Sequence, residues 1–345
     1  MNGRIGTAAL LFFVLVAPCS AQEAPLHLTL PTDNSALLRG DPADFYQAIE
    51  RNVHGVISYP WQGGQYGFVR DPIETVDGTI MTRFHEGMDV RPVRRDVRGE
   101  PLDDVRSIAD GTVVHINSVA GHSNYGRYVV IEHRWGGCPY YSLYGHLKTI
   151  AVEKGQKVQG RETIGVMGYT GAGINRQRAH VHVELNLLLN DHFEQWHGTF
   201  FKGEANYNET YNGINLAGMD LARLFLALRD NPALTVPGFL AKEEAYYKVI
   251  IPNSPNFQLP QRYPWMIQGA PNENPAAWEI SFTRSGLPLR MAASDKSVTS
   301  PELSFVKPAS IDYRNLTRGD LAGRGANAHL TDSGKALMRL LTFPD

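Results

Sequence analysis

The stretch Ala179-His-Val-His-Val-Glu-Leu185 alternates apolar and polar side chains with a period of two. This period is typical of a β-strand, in which residues i and i+2 point to the same face. His180 and His182 therefore share one face, while Val181 and Val183 share the other. Two imidazoles on one strand face are costly in a core unless they are hydrogen-bonded or bind a ligand. The stretch thus predicts a β-strand with a polar or metal-binding face.

The sequence around this strand contains further runs that are typical of β-strands. Gly111-Thr-Val-Val-His-Ile116, Tyr128-Val-Val-Ile-Glu-His133 and Tyr140-Tyr-Ser-Leu-Tyr144 are rich in β-branched and aromatic residues and are separated by glycine-containing turns. Such runs at strand spacing favour an antiparallel sheet. We therefore predict a mainly β chain, with an antiparallel β-sheet domain over residues 66–190.

The flanking segments have a different character. Residues 22–65 form a lead-in segment, in which Asp41 begins a pattern typical of a capped short helix. Residues 191–345 carry mixed signals and no recognised motif, so we expect an α+β extension of unknown role. Its predicted elements are a helix over 219–228, a hairpin over 278–290 and a terminal helix over 331–341.

The first twenty-one residues resemble a signal peptide. One positive charge, Arg4, precedes an apolar run over 8–17 that is too short to span a bilayer. Small residues follow, and we expect cleavage after Ala21. A buried N-terminal helix and a lipid anchor on Cys19 are the two alternatives.

Composition excludes several classes of protein. The chain has 345 residues, a formal net charge of -2 and 43% hydrophobic positions, which suits a globular protein of about two domains. No strongly basic field would draw it to nucleic acid. Two cysteines cannot supply a disulfide framework. No segment after the signal peptide reaches transmembrane length, so we expect no stable membrane insertion.

A second motif lies upstream of the central strand. Seven of the 12 histidines fall between positions 85 and 182, and the first of them opens His85-Glu-Gly-Met-Asp89. The pattern differs from the helical metalloprotease motif, because its fifth residue is aspartate and Gly87 weakens a helix by about 1 kcal/mol. We therefore do not assign Glu86 as a base. Together the two motifs can supply two histidines and one aspartate as metal ligands, which suits a catalytic zinc site with an open position.

The combination resembles the lysostaphin-like zinc metallopeptidases, the M23 or LytM family. The matching motifs, in chain order, are Tyr66-Gly-Phe-Val-Arg-Asp-Pro72, His85-Glu-Gly-Met-Asp89, Tyr144-Gly-His-Leu147, Gly168-Tyr-Thr-Gly171 and the strand over 179–185. The resemblance covers about residues 60–190. One departure is Arg178-Ala179, where the family usually has Thr-Gly.

The resemblance implies a role for each matching residue. His85, Asp89 and His182 would bind Zn²⁺, while His146 and His180 would be the catalytic histidines. Which of His146 and His180 is the general base stays open. We expect the remaining histidines to lie outside the metal site. His115, His122 and His133 are predicted to be structural or surface residues, and His192 and His197 could line a cleft.

The resemblance also implies a function. We expect an exported zinc metalloendopeptidase that hydrolyses peptide crosslinks of bacterial peptidoglycan through a zinc-activated water, in the periplasm or outside the cell. Two alternatives remain open, namely a non-hydrolytic cell-wall binding or regulatory protein that keeps the fold, and a zinc peptidase that acts on proteins. The sequence gives no expectation for the oligomeric state.

Overall fold

The computed structural model describes residues 25–344, except 271 and 273. The predicted signal peptide and its cleavage point therefore lie outside the described residues. Within them, no helix is both long enough and apolar enough to cross a bilayer.

Strands dominate the described chain, and the prediction of a mainly β fold with antiparallel sheets is confirmed. The strands up to residue 190 are β1 Arg51–Val53, β2 Val56–Ser58, β3 Gly67–Thr75, β4 Gly78–His85, β5 Met88–Val90, β6 Asp104–Arg106, β7 Gly111–Asn117, β8 Tyr128–Trp135, β9 Cys138–Gly145, β10 Thr149–Ile150, β11 Lys157–Val158, β12 Thr163–Val166 and β13 Val181–Leu188. Those that follow are β14 Leu216–Met219, β15 Tyr247–Pro252, β16 Ile267–Gln268, β17 Ala277–Phe282, β18 Pro288–Ser294, β19 Glu302–Val306, β20 Leu321–Ala322 and β21 His329–Leu330. The α-helices are α1 Pro42–Phe45, α2 Phe193–Phe200, α3 Leu221–Asp230, α4 Val236–Leu240, α5 Leu259–Arg262, α6 Tyr313–Leu316 and α7 Asp332–Leu340.

The main sheet has the strand order β11-β7-β8-β9-β13-β14, and β5 also pairs with β13. Every one of these pairs is antiparallel. The register places His182 opposite Gly145 on β9 and opposite Asp89 on β5. The sheet thereby brings the two sequence motifs side by side.

Strand β13 is buried on both faces. Val181, Val183, Leu185 and Leu187 point into the large hydrophobic core, as the period of two requires. The opposite face carries His182, Glu184 and Asn186, whose side chains hydrogen-bond to one another. This polar row is the wall on which the candidate site is built.

The segments on either side of the β domain pack into the same core. Phe45 from the lead-in, Val183 from β13, and Tyr247 and Leu340 from the C-terminal segment belong to one continuous cluster of buried side chains. Strand β14 also adds to the edge of the main sheet beside β13. The C-terminal segment is therefore built into the fold rather than tethered to it.

The elements predicted for the C-terminal segment are confirmed. Helix α3 covers most of the predicted 219–228, α7 matches 331–341, and β17 and β18 form the predicted hairpin. That hairpin lies in a five-stranded sheet of order β16-β18-β17-β15-β19, in which only the short β16 pairs in parallel.

The short helix predicted from Asp41 is correct only in its first turn. Asp41 caps α1 by accepting a hydrogen bond from the backbone N–H of Asp44. The chain then becomes extended, because Tyr46 bridges to Val90 and the backbone N–H of Gln47 donates to the carbonyl of Asp89 at 2.8 Å. Pairing with β5 thus overrides the helical pattern that follows.

Candidate metal centre

Three side chains converge where β4, β5 and β13 meet. His85 ends β4, Asp89 lies in β5 and His182 lies in β13. Nε2 of His85 is 3.0 Å from Nδ1 of His182, and Oδ1 of Asp89 is 3.1 Å from the first nitrogen and 2.9 Å from the second. All three residues are buried, and they form a group that could hold a metal ion.

Hydrogen bonds on the far side of each ring orient the two imidazoles. Nδ1 of His85 lies 2.7 Å from the carbonyl of Gln65, and Nε2 of His182 lies 2.7 Å from Oε1 of Glu184. If those outer nitrogens donate, the inner nitrogens of both neutral rings present lone pairs toward each other and toward Asp89. A proton or a metal ion held between the three side chains accepts these lone pairs. Two imidazoles and one carboxylate are a suitable donor set for zinc.

The electrostatics of the cluster also favour a cation. Burial acts to raise the pKa of Asp89, but the charges of His180, His85 and Arg70 outweigh it and hold that pKa well below its usual value. Burial acts to lower the pKa of His182, yet its hydrogen bonds to Asp89 and Glu184 raise that pKa to about 10. The buried carboxylates therefore stabilise positive charge between them.

His146 and His180 lie next to the three converging side chains. Their ring centroids are 4.8 Å apart, and the ring of His146 is 5.9 Å from that of His182. Nδ1 of His146 is 2.8 Å from the carbonyl of Thr170, and Nδ1 of His180 is 2.7 Å from the carbonyl of Arg178. When each Nδ1 donates to its carbonyl, Nε2 is left as the proton acceptor.

The backbone of His146 has a positive φ of 62°. This left-handed region is uncommon for residues other than glycine, and such strain is concentrated at functional sites. The hydrogen bond from the His146 N–H to the Tyr125 carbonyl, at 2.7 Å, holds the conformation. Burial, together with repulsion from His180 and His182, keeps the pKa of His146 well below its usual value, so the ring is a neutral base.

The structure brings all five sequence-selected residues into one cluster and leaves the other histidines outside it. His133 lies on the opposite face of the main sheet from His182. Its ring hydrogen-bonds to the carbonyl of Asp110 and the hydroxyl of Ser142. His192 and His197 flank or lie in α2 rather than lining the cleft beside the cluster. His122 does line that cleft, where its ring stacks on Tyr207.

Sequence reasoning assigned no supporting role to three residues that hold the cluster in place, namely Arg70, Tyr125 and Glu184. Nη2 of Arg70 donates to Oδ2 of Asp89 at 2.7 Å. Glu184 accepts from His182 and also from the hydroxyl of Tyr125 at 2.8 Å. The period of two could have identified Glu184, because it shares the strand face of His182. Arg70 lies in the matching motif over 66–72, but the motif assigned it no contact, since its position depends on the tertiary placement of the β3–β4 hairpin.

A cleft of about 850 Å³ opens beside the cluster. Arg70, Glu86 and Tyr125 line it from the β domain, while Asn212 and Arg318 line it from the C-terminal segment. The β domain and the C-terminal segment therefore form the walls of the cleft together.

The candidate metal centre lies in a segment that matches a known protein family. Residues 83–193 match the model of Peptidase family M23, and this range contains all five clustered residues. This match confirms the resemblance to the M23 family inferred from the motifs.

Individual relatives extend the comparison. The chain is 32% identical over 108 residues to a Pseudomonas aeruginosa protein described as a lipoprotein NlpD/LppB homolog, covering 31% of this chain and 33% of the relative. It thus spans about a third of the length of that curated relative. Among solved structures, the catalytic domain of the antimicrobial peptidase lysostaphin from Staphylococcus simulans is 24% identical, with 35% of this chain and 75% of that chain covered and a TM-score of 0.25. A zinc-containing peptidase from Vibrio cholerae is 26% identical, with 41% and 36% covered and a TM-score of 0.26.

Proposed function

We propose that this protein is an exported zinc metalloendopeptidase that hydrolyses peptide crosslinks of bacterial peptidoglycan. The observation that carries the proposal is the convergence of Nε2 of His85, Oδ1 of Asp89 and Nδ1 of His182 beside two further histidines. Three protein ligands with an open position are typical of catalytic rather than structural zinc. The M23 domain supplies the peptidase chemistry.

In this proposal His85, Asp89 and His182 hold the zinc ion. Zinc in such a site lowers the pKa of a bound water toward about 7 and polarises the scissile carbonyl. Glu184 fixes the tautomer of His182 by accepting a hydrogen bond from its Nε2–H, and Arg70 orients Asp89 by donating to the second carboxylate oxygen. The ligands are thereby positioned before substrate arrives.

His146 and His180 perform the proton transfers. Each ring is held through Nδ1 by a backbone carbonyl, which leaves its Nε2 able to accept a proton from the attacking water. After protonation, the same nitrogen can donate to the developing oxyanion or to the leaving amine. The two rings are close enough to share these roles.

The location and domain division are part of the proposal. Export rests on the signal-peptide pattern of residues 1–21, and it would bring the enzyme to its substrate outside the cytoplasm. Residues 66–190 form the peptidase domain, 22–65 a lead-in segment, and 191–345 an extension that shapes the cleft. Neither nucleic acid nor stable membrane insertion forms part of this function.

The test is zinc content and cleavage of purified crosslinked muropeptides by the chain that begins at residue 22. We expect about one zinc per chain, from the single ligand set. His180→Ala and His146→Ala should keep the zinc and lose at least about a hundredfold in kcat/KM. His192→Ala, a histidine outside the cluster, should leave both unchanged.

Three results would overturn the proposal. Absence of bound zinc would remove the mechanism. Zinc without cleavage of muropeptides or peptides would indicate a non-hydrolytic binding or regulatory protein. Cleavage of proteins with muropeptides left intact would indicate a protein-directed peptidase.

A further inference from the structure

Arg318 reaches the cleft from the C-terminal segment, two residues after α6 ends. Its Nη2 donates to Oε1 of Glu86 at 2.8 Å, and its guanidinium lies 5.3 Å from the ring centroid of Phe84. Glu86 directly follows His85 in the chain, so the guanidinium is held beside the segment that carries this candidate metal ligand. The side chain nevertheless keeps 31% of its surface exposed.

Arg318 has unused hydrogen-bonding capacity. A guanidinium carries five N–H donors in a planar fork, and within the described residues Arg318 makes one hydrogen bond. Arg70 is already committed to Asp89 and to the carbonyl of Gly63. Arg83 is 67% exposed, and within the described residues its side chain is held only by an ion pair with Asp71 at 3.8 Å. Arg318 is therefore the cleft arginine that is both oriented and available.

Most of the charged side chains that line the cleft are cations. Its charged lining residues are Arg70, Arg83, Arg318 and Glu86, three cations against one anion. An arginine fork binds a carboxylate through two parallel hydrogen bonds, which a neutral amide cannot reproduce. The cleft thus favours an anionic group on whatever peptide it holds.

We propose that Arg318 is a specificity-determining residue that binds a free carboxylate of the peptide substrate next to the scissile bond. This inference rests on the proposed peptidase function. Glu86 holds the guanidinium in place from one side, and the substrate carboxylate occupies the donors that face the cleft. The C-terminal segment thereby selects substrates for a centre built entirely by the β domain.

The experiment uses two synthetic crosslinked peptides that differ only in one group beside the scissile bond, a free carboxylate in one and a carboxamide in the other. Wild-type protein should cleave the carboxylate peptide with a kcat/KM about 10- to 100-fold higher, as expected for a charge-assisted hydrogen-bond pair. Arg318→Gln should remove this preference, with the larger loss of kcat/KM on the carboxylate peptide. Arg318→Lys should restore part of it, since a lysine keeps the charge and loses the fork.

Arg314→Gln is the matched control, because Arg314 is an exposed arginine four residues away whose side chain makes no hydrogen bond or ion pair within the described part of the chain. It should keep the wild-type preference. Loss of the preference in Arg314→Gln as well would assign the effect to general charge and contradict the inference.

Binding separates this inference from the proposed function. The affinity of both peptides is measured for the His180→Ala protein with and without Arg318→Gln. A carboxylate preference in binding that Arg318→Gln removes supports the inference even if wild-type protein cleaves neither peptide, a result that would defeat the peptidase proposal alone. Equal binding of both peptides, or no binding of either, overturns the inference even if cleavage is found.

Discussion

Glu184 accepts a hydrogen bond from Nε2 of His182 at 2.7 Å, although the two residues are only two positions apart on the same strand. The alternation of β13 puts both side chains on one face, where the carboxylate stands behind the imidazole. Tyr125 and Asn186 donate to the same carboxylate, which is 1% exposed. The strand therefore carries a candidate metal ligand and the group that orients it.

Replacing this carboxylate should weaken zinc binding. Glu184→Gln keeps the shape of the side chain but loses the charge that raises the basicity of His182. Loss of such an outer partner typically costs about 10- to 100-fold in metal affinity. Competition with a chromophoric chelator measures the change. Glu132→Gln, on the neighbouring region of the sheet and bonded to Arg134 and Tyr141, is the control. Equal zinc affinity of Glu184→Gln and Glu132→Gln would show that Glu184 does not strengthen zinc binding.

The sequence predicted more of the site than of its surroundings. The period of two placed His180 and His182 on one face, and the family motifs added His85, Asp89 and His146; the structure gathers all five. Arg318 was not foreseen, because its segment carries no motif and it reaches the cleft only through tertiary packing. The local periodicity of a sequence predicts which residues share a strand face. Contacts between distant segments depend on strand register and tertiary packing, which cannot be predicted from the local pattern of one sequence.

Gly87 explains the spacing of the first motif. A Cβ at this position would lie 2.4 Å from the carbonyl oxygen of Val183 and 2.9 Å from Cγ of Glu184. The missing side chain lets the chain between His85 and Asp89 approach β13 closely. Gly87→Ala should separate the strands, lowering the free energy of unfolding by about 1–3 kcal/mol and zinc affinity by about tenfold or more.

Chemical denaturation and chelator competition measure these two effects for Gly87→Ala. Gly198→Ala is the matched control, because Gly198 lies within α2 and a Cβ there meets no atom within 4 Å. It should leave zinc affinity unchanged and stabilise the protein by up to about 1 kcal/mol. Wild-type behaviour of Gly87→Ala would mean that the strands have room for a side chain.

Stability should depend on pH through His133. Burial lowers the pKa of His133 from 6.5 to about 4. Between these values the unfolded chain binds a proton that the folded protein does not, so the free energy of unfolding falls as the pH drops from 6.5 to 4. The contribution of this residue amounts to about 3 kcal/mol over that window.

His133→Gln tests this dependence, because glutamine does not titrate. Denaturant unfolding is measured at several pH values. Between pH 6.5 and pH 4 the free energy of unfolding of the wild-type protein should fall about 3 kcal/mol further than that of the variant. Below pH 4 the two curves should run parallel. Parallel curves over the whole range would show that His133 titrates normally in the folded protein.

The β domain should not fold without the C-terminal segment. Strand β14 pairs with Leu185–Leu188 of β13, and the core that holds Val183 also holds Tyr247 and Leu340. A chain ending at residue 190 would expose this apolar surface together with an open sheet edge, which promotes aggregation. We expect it to aggregate and to show no cooperative thermal transition by circular dichroism, while a control chain that lacks only residues 1–21 shows one. A soluble, monomeric truncated chain with a cooperative transition would instead establish residues 66–190 as an independent folding unit.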